Sequence, residues 1–195
     1  MSDVVVRLPD AQATRGFGRA LAGVLRAGDL LVLTGDLGAG KTTLTQGIGA
    51  GLGVRGQVAS PTFIIARVHP GLVREDGTQG PDLVHVDAYR LSSLDEVEAL
   101  DLDSSLEDAV TVVEWGRGWV EAIATDRLEI ALTRPRGAAT AEDAAEVADD
   151  DGGAGERVVT LRAVGERWSG VDLAALARAA DDAADRTVGA DDVAG

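Results

Sequence analysis

The chain has 195 residues, about the length of one domain, and 33 acidic against 18 basic residues give it a net charge of −15. That charge opposes unaided binding to a phosphate backbone, and the absence of cysteine excludes disulfides, thiolate metal sites and cysteine nucleophiles. With 45% apolar but only 3% aromatic residues, the core has to be built from Val, Leu, Ile and Ala.

The chain opens on an extended stretch, Val4 to Leu8, with no basic region and apolar core of a leader. After Pro9 and Asp10, the apolar residues Ala13, Phe17, Leu21, Val24 and Leu25 recur at helical spacing. Gly28-Asp29 turns the chain into Leu30 to Thr34, a continuous apolar run that predicts a strand buried on both faces. A helix is expected from about Lys41. Further strands are predicted at 63–68, 83–87, 110–114, 128–132 and 158–163, with a helical patch over 94–106. Strands interleaved with helices indicate an α/β fold of three layers around a mostly parallel central sheet.

Residues 137–155 lack large apolar side chains and read as an acidic insertion within a domain spanning 1–168. From 169 to 195 the chain reads as an acidic, Ala-rich tail with room for one short helix around Leu173 and Leu176. Residues 137–195 hold 14 acidic and 5 basic side chains, a net of −9, so most of the acidity lies beyond the motifs that carry chemistry. No apolar run reaches the roughly 20 residues that span a bilayer, and a cytoplasmic protein is expected.

Gly35-Asp36-Leu37-Gly38-Ala39-Gly40-Lys41-Thr42 follows the phosphate-loop pattern of Gly, four residues, Gly, Lys and Ser or Thr, between a predicted strand and a predicted helix. Glycines let successive backbone N–H groups curl around an anion, the helix N-terminus adds its dipole, and Lys41 is placed to reach the β- and γ-phosphates. Of the 18 basic residues 17 are arginine, and the one lysine falls where a phosphate loop needs it. Thr42 is the candidate Mg²⁺ ligand, and Thr43 offers its N–H and hydroxyl to the α-phosphate. A Walker B carboxylate is expected at the end of a strand, where Asp87 closes Leu83-Val84-His85-Val86-Asp87. His85 itself reads as a hydrogen-bonded core histidine. A second strand ends in Glu114-Trp115, and Glu114 is a candidate to orient water or hold Mg²⁺; a surface carboxylate beside a packing Trp is the alternative. Thr62, in Ser60-Pro61-Thr62-Phe63, is a candidate γ-phosphate sensor or else part of a turn. Arg90 reads equally as a phosphate or partner contact and as a surface ion pair.

Guanine-specific phosphate-loop proteins usually read the base through Asn-Lys-x-Asp, which needs a lysine outside the loop. This chain has none, so ATP is the expected nucleotide. The phosphate loop, Ser60 to Phe63, His85-Val86-Asp87-Ala88-Tyr89-Arg90-Leu91 and Val113-Glu114-Trp115, in this order and spacing, resemble the TsaE (YjeE) family, over roughly residues 4 to 163. The resemblance implies a P-loop NTPase-like ATPase that serves the making of N6-threonylcarbamoyladenosine at position 37 of ANN-decoding tRNAs. It implies partners of the TsaD and TsaB type, the threonylcarbamoyl-transferase subunit and its non-catalytic homologue, with tRNA reached through them and no membrane involved. It also implies ATP and Mg²⁺ as ligands. Carried onto this sequence, it implies that Gly38, Ala39, Gly40, Lys41, Thr42 and Thr43 hold phosphates and that Thr42, Asp87 and Glu114 hold Mg²⁺. It further implies that Thr14 and Arg157 approach the nucleotide. Catalysis is then expected from Lys41, Asp87, Glu114 and Thr62. A small-molecule kinase and a non-catalytic nucleotide switch are the rival readings of the same loop.

Overall fold

The computed structural model of the chain describes residues 3–61, 65–90, 96, 107–116, 118, 124–135 and 155–180. Seven strands form one sheet: β1 (Val4–Leu8), β2 (Leu30–Thr34), β3 (Ala66–His69), β4 (Asp82–Asp87), β5 (Ala109–Glu114), β6 (Arg127–Thr133) and β7 (Arg157–Val164), in the order β1-β7-β6-β2-β5-β4-β3. The central pairs β6–β2, β2–β5 and β5–β4 are parallel. The flanking pairs β1–β7, β7–β6 and β4–β3 are antiparallel. The expectation of a mostly parallel sheet is therefore corrected to a mixed one, with its parallel part confined to the four central strands. Those four include the strands that are buried along nearly their whole length, β2, β4 and β5, as two-sided burial of parallel sheets requires.

The strand expected from Phe63 starts at Ala66. Ile65, just before it, has a left-handed φ of 68°, and its N–H donates to the Pro61 carbonyl. The patch expected over 94–106 lies outside the described residues apart from Glu96, as does the insertion expected at 137–155 apart from Gly155. The short helix expected after Ser169 is present at 173–180. Its Leu173 and Ala177 are buried in the main core with Trp168.

Side-chain alternation divides the sheet into two faces. Leu31 and Leu33, Leu83, and Val110 and Val112 join the larger core cluster under the helices, whereas Leu30, Val32, Val84, Val86 and Val113 line a smaller cluster on the opposite face. Helix α1 (Ala11–Ala22) is started by Asp10, whose carboxylate accepts from the Ala13 N–H at 2.7 Å. It buries Thr14, Phe17, Gly18, Leu21 and Ala22, a single stripe at helical spacing. Helix α2 (Lys41–Leu52) is buried on several sides because it lies between α1 and the sheet. The two helices touch backbone to backbone: a Cβ on Gly18 would stand 2.5 Å from the Leu44 carbonyl oxygen, and one on Gly47 2.2 Å from that of Arg15. This contact holds the first turn of α2 against the sheet edge where β2, β4 and β5 end.

A buried ion pair closes the other end of the domain. Arg167 grips both Asp29 oxygens at 2.7 and 2.8 Å and donates to the Val24 carbonyl at 2.7 Å. It ties the chain after β7 to the turn that launches β2. Among the described residues no helix is long and apolar enough to cross a membrane.

Candidate functional site

The loop between β2 and α2 turns on glycines whose backbone other residues rarely adopt. Gly40, the residue before α2, has φ 103°, and the loop closes with the Ala39 N–H donating to the Asp36 carbonyl at 3.1 Å. Lys41 is buried, and its Nζ donates to the carbonyls of Gly35 at 2.9 Å and Asp36 at 3.0 Å. Its ammonium therefore lies over the concave side of the loop, where an anion bound by the loop amides would meet it. Burial pulls the Lys41 ammonium below its ordinary value, and the carboxylates of Glu114, Asp87 and Asp36 oppose that shift.

Strand periodicity brings the acidic residues to the same place. Asp87 shares the face of Leu83 on β4, and Glu114 that of Val110 and Val112 on β5, so both carboxylates stand on the α2 side of the sheet. They are also cross-strand partners at the ends of two parallel strands. Glu114 is only 3% exposed, which removes the alternative of a surface carboxylate. Its Oε1 accepts from Thr42 Oγ1 at 3.0 Å and from His85 Nε2 at 2.8 Å. Asp87 accepts the Tyr89 N–H at 3.1 Å, fixing the turn that leads into the short 3-10 helix Ala88–Arg90.

Trp115 leaves β5 with a left-handed φ of 62°, its N–H bonded to the Leu33 carbonyl at 3.0 Å. A non-glycine residue at that φ is strained, and here it swings the indole under the loop: Lys41 Nζ is 3.9 Å from the ring centroid. The Tyr89 ring packs on the indole at 5.2 Å between centroids while remaining 66% exposed. Sequence reasoning passed over Trp115 and Tyr89. Their signal was proximity to Glu114 and Asp87, residues already singled out.

The structure thus brings together Gly38 to Thr43, Asp87 and Glu114, as expected. It adds His85, whose signal was its position two residues before Asp87 on the same strand face. Thr14 is fully buried and its hydroxyl donates to the Asp10 carbonyl within α1 at 2.8 Å. Arg157 is fully buried behind the loop: its Nε is 3.5 Å from where a Cβ on Gly40 would stand, and its Nη1 donates to the Gly155 carbonyl. Burial lowers the Arg157 pKa, Arg134 and Arg15 add to that effect and Asp10 opposes it. Thr62 and the side chain of Arg90 lie outside the described residues. The Ile65 carbonyl accepts the Asp87 N–H at 2.8 Å.

The described residues contain no group of three or more His, Cys, Asp and Glu side chains able to hold a metal ion. Thr42, Glu114 and Asp87 instead form a hydroxyl-and-carboxylate set, the donor chemistry of a hard cation that keeps waters and takes its remaining ligands from phosphate oxygens.

The model of the family described as threonylcarbamoyl adenosine biosynthesis protein TsaE matches residues 8–141. The chain belongs to the TsaE family. It is 56% identical over 164 residues to the tRNA threonylcarbamoyladenosine biosynthesis protein TsaE of Streptomyces coelicolor, covering 84% of this chain and 99% of that protein. The TsaE protein of Bacillus subtilis is 36% identical over 169 residues, 86% of this chain and 90% of its own length. Among solved structures, that of Bacillus subtilis YdiB superposes with a TM-score of 0.59 at 29% identity, covering 93% of this chain and 95% of that one. The TsaE match spans β2, the glycine-rich loop, α2, β4 with the 3-10 helix after it, and β5 with Trp115, and so covers the site residues from Gly38 to Trp115. Thr14 falls within the match on α1, and Arg157 lies beyond it on β7.

Proposed function

We propose that this TsaE-family chain is a Mg²⁺-dependent ATPase that serves the machinery making threonylcarbamoyladenosine in tRNA. The observation that carries the reading is the contact between Thr42 of the phosphate loop and Glu114, 72 residues away, beneath a buried Lys41 whose ammonium faces the loop. A glycine-rich turn with a chance lysine has no reason to meet a strand-end carboxylate through the residue after that lysine.

In this reading the amides from Gly38 to Thr43 and the Lys41 ammonium gather the β- and γ-phosphates, and the positive charge lowers the cost of developing negative charge during transfer. Thr42, Asp87 and Glu114 would hold Mg²⁺, which when bound would supply the remaining neutralisation of phosphate charge. Glu114, held by one oxygen, accepts a hydrogen bond from the attacking water and orients it in line with the leaving group. Trp115 covers the ammonium and narrows the site to solvent. Thr62 serves as the γ-phosphate sensor and Thr14 acts at the nucleotide edge of α1. Arg157 adds positive charge behind Gly40. The threonylcarbamoyl-transferase subunit and its non-catalytic homologue are the partners, and they grip the tRNA, in keeping with a net charge of −15 on this chain.

The test is phosphate release from ATP by the purified protein with and without those partners, together with tRNA modification under multiple turnovers and a screen for phosphorylated products. Lys41→Ala is expected to abolish nucleotide-dependent activity while melting normally. Unchanged turnover in that variant refutes the ATPase reading; a phosphorylated small molecule supports a kinase, and tight ATP binding without phosphate release a switch.

A further inference from the structure

His85 lies fully buried on β4, in a position where an apolar side chain would pack as well. Its Nε2 is 2.8 Å from Glu114 Oε1. The register explains the reach: His85 is opposite Val112 and Asp87 opposite Glu114, so the imidazole crosses one diagonal step along the shared face. An ionised carboxylate only accepts hydrogen bonds, so Nε2 carries the ring proton. Nδ1 is buried with no hydrogen-bond partner among the described residues. A buried polar ring nitrogen left without a partner costs stability, and the ring's hydrogen bonding is directed wholly at Glu114.

Glu114 Oε1 has two donors, and they differ in position. The Thr42 hydroxyl stands at the start of α2 beside the loop, so a cation or phosphate arriving there acts on it directly. The His85 tether comes from within β4, a strand of the sheet that is not part of the loop. We propose that His85 is a positioning residue that holds Glu114 through Oε1 and leaves Oε2 to the metal ion or the attacking water. The inference rests on the reading of Glu114 as a metal- and water-orienting group in an ATPase. Outer partners of this kind typically change metal affinity or activity by roughly 10- to 100-fold when removed.

Two measurements test it. In the nucleotide-free, ¹⁵N-labelled protein, His85 should show a slowly exchanging Nε2–H resonance that is lost in Glu114→Ala. In ATP hydrolysis and binding assays across a Mg²⁺ series, His85→Leu should need roughly 10- to 100-fold more Mg²⁺, or lose kcat by that factor. Its affinity for ATP without Mg²⁺ should equal that of the wild type. His85→Gln places an amide N–H near the position of Nε2 and should recover most of the loss, which a packing role would not explain. If His85→Leu does not fold, the resonance and the Gln variant still decide the matter. A wild-type Mg²⁺ requirement and kcat in folded His85→Leu overturn the inference, as does a Gln variant equally impaired but melting normally, or a ring resonance indifferent to Glu114→Ala. An active wild type with an indifferent His85 refutes this inference alone; a wild type that neither binds nor hydrolyses ATP refutes the ATPase reading and takes the inference with it.

Discussion

Gly47→Ala adds one methyl group at the centre of the α1–α2 contact, and the structure sets what it costs. The new Cβ would stand 2.2 Å from the Arg15 carbonyl oxygen and 2.9 Å from Arg15 Cα, both backbone atoms that cannot swing aside. Ordinary contact needs about 3.4 Å, so the helices must part by about 1 Å. Overpacking of this kind costs about 1–3 kcal/mol, while exchanging Gly for Ala inside a helix returns about 1 kcal/mol. The expected net loss is up to about 2 kcal/mol, or about 2–4 °C in Tm for each kcal/mol in a chain of this size. Gly16→Ala is the internal control: a Cβ there meets nothing within 4 Å on the exposed side of α1, so the propensity gain of about 1 kcal/mol acts alone and Tm rises. Because α2 begins at Lys41, parting the helices also shifts the phosphate loop, and ATP affinity should fall in Gly47→Ala but not in Gly16→Ala. Thermal melting and calorimetric ATP titration of the two variants read both effects. A Gly47→Ala protein that gains as much stability as Gly16→Ala would refute the close-contact reasoning.

The remaining expectations concern charge. Glu114→Gln keeps the shape and a carbonyl able to accept from Thr42 and His85 but removes the charge, so kcat should fall by roughly 10²- to 10³-fold with Tm nearly unchanged; steady-state hydrolysis beside a melting curve checks this. Arg167→Leu leaves the Asp29 carboxylate, 2% exposed, without its bidentate partner, and urea unfolding should show a loss of about 3–5 kcal/mol. His69 is buried on β3, and burial, then Arg67 and His85, lower its pKa against an opposing hydrogen bond with the Arg55 backbone. Its charged form is disfavoured in the folded state, so stability should be intact above the unfolded value near 6.5 and decline as the pH falls below it. In His69→Gln that decline should be shallower, as seen by urea unfolding between pH 5 and 8.

Local chemistry explains what was legible early. A phosphate loop is a run of neighbours, and its glycines, lysine and threonine carry their meaning within eight residues. Period-two alternation likewise made the central strands readable, and Asp87 and Glu114 stood out as polar residues closing apolar runs. Alternation also contained the clue to His85, because residues 85 and 87 of one strand share a face, yet a buried histidine on its own implies only a satisfied core group. The sheet's balance of parallel and antiparallel pairs was not legible, since short strands of similar composition serve either direction.

By itself the sequence determined the glycine-rich loop that ends in Lys41-Thr42 and the α/β class, because those depend on residue type and short spacing. Only the tertiary structure decided which distant residues meet. The parallel register of β4 and β5 sets Asp87 beside Glu114, the α1–α2 contact presses Thr42 toward that pair, and the left-handed Trp115 turns its ring beneath Lys41. Arg157 makes a similar point: antiparallel β7 carries it, fully buried, to within 3.5 Å of where a Cβ on Gly40 would stand, a placement that no local pattern announces. Contacts across 72 residues depend on strand order and register, which no local pattern encodes.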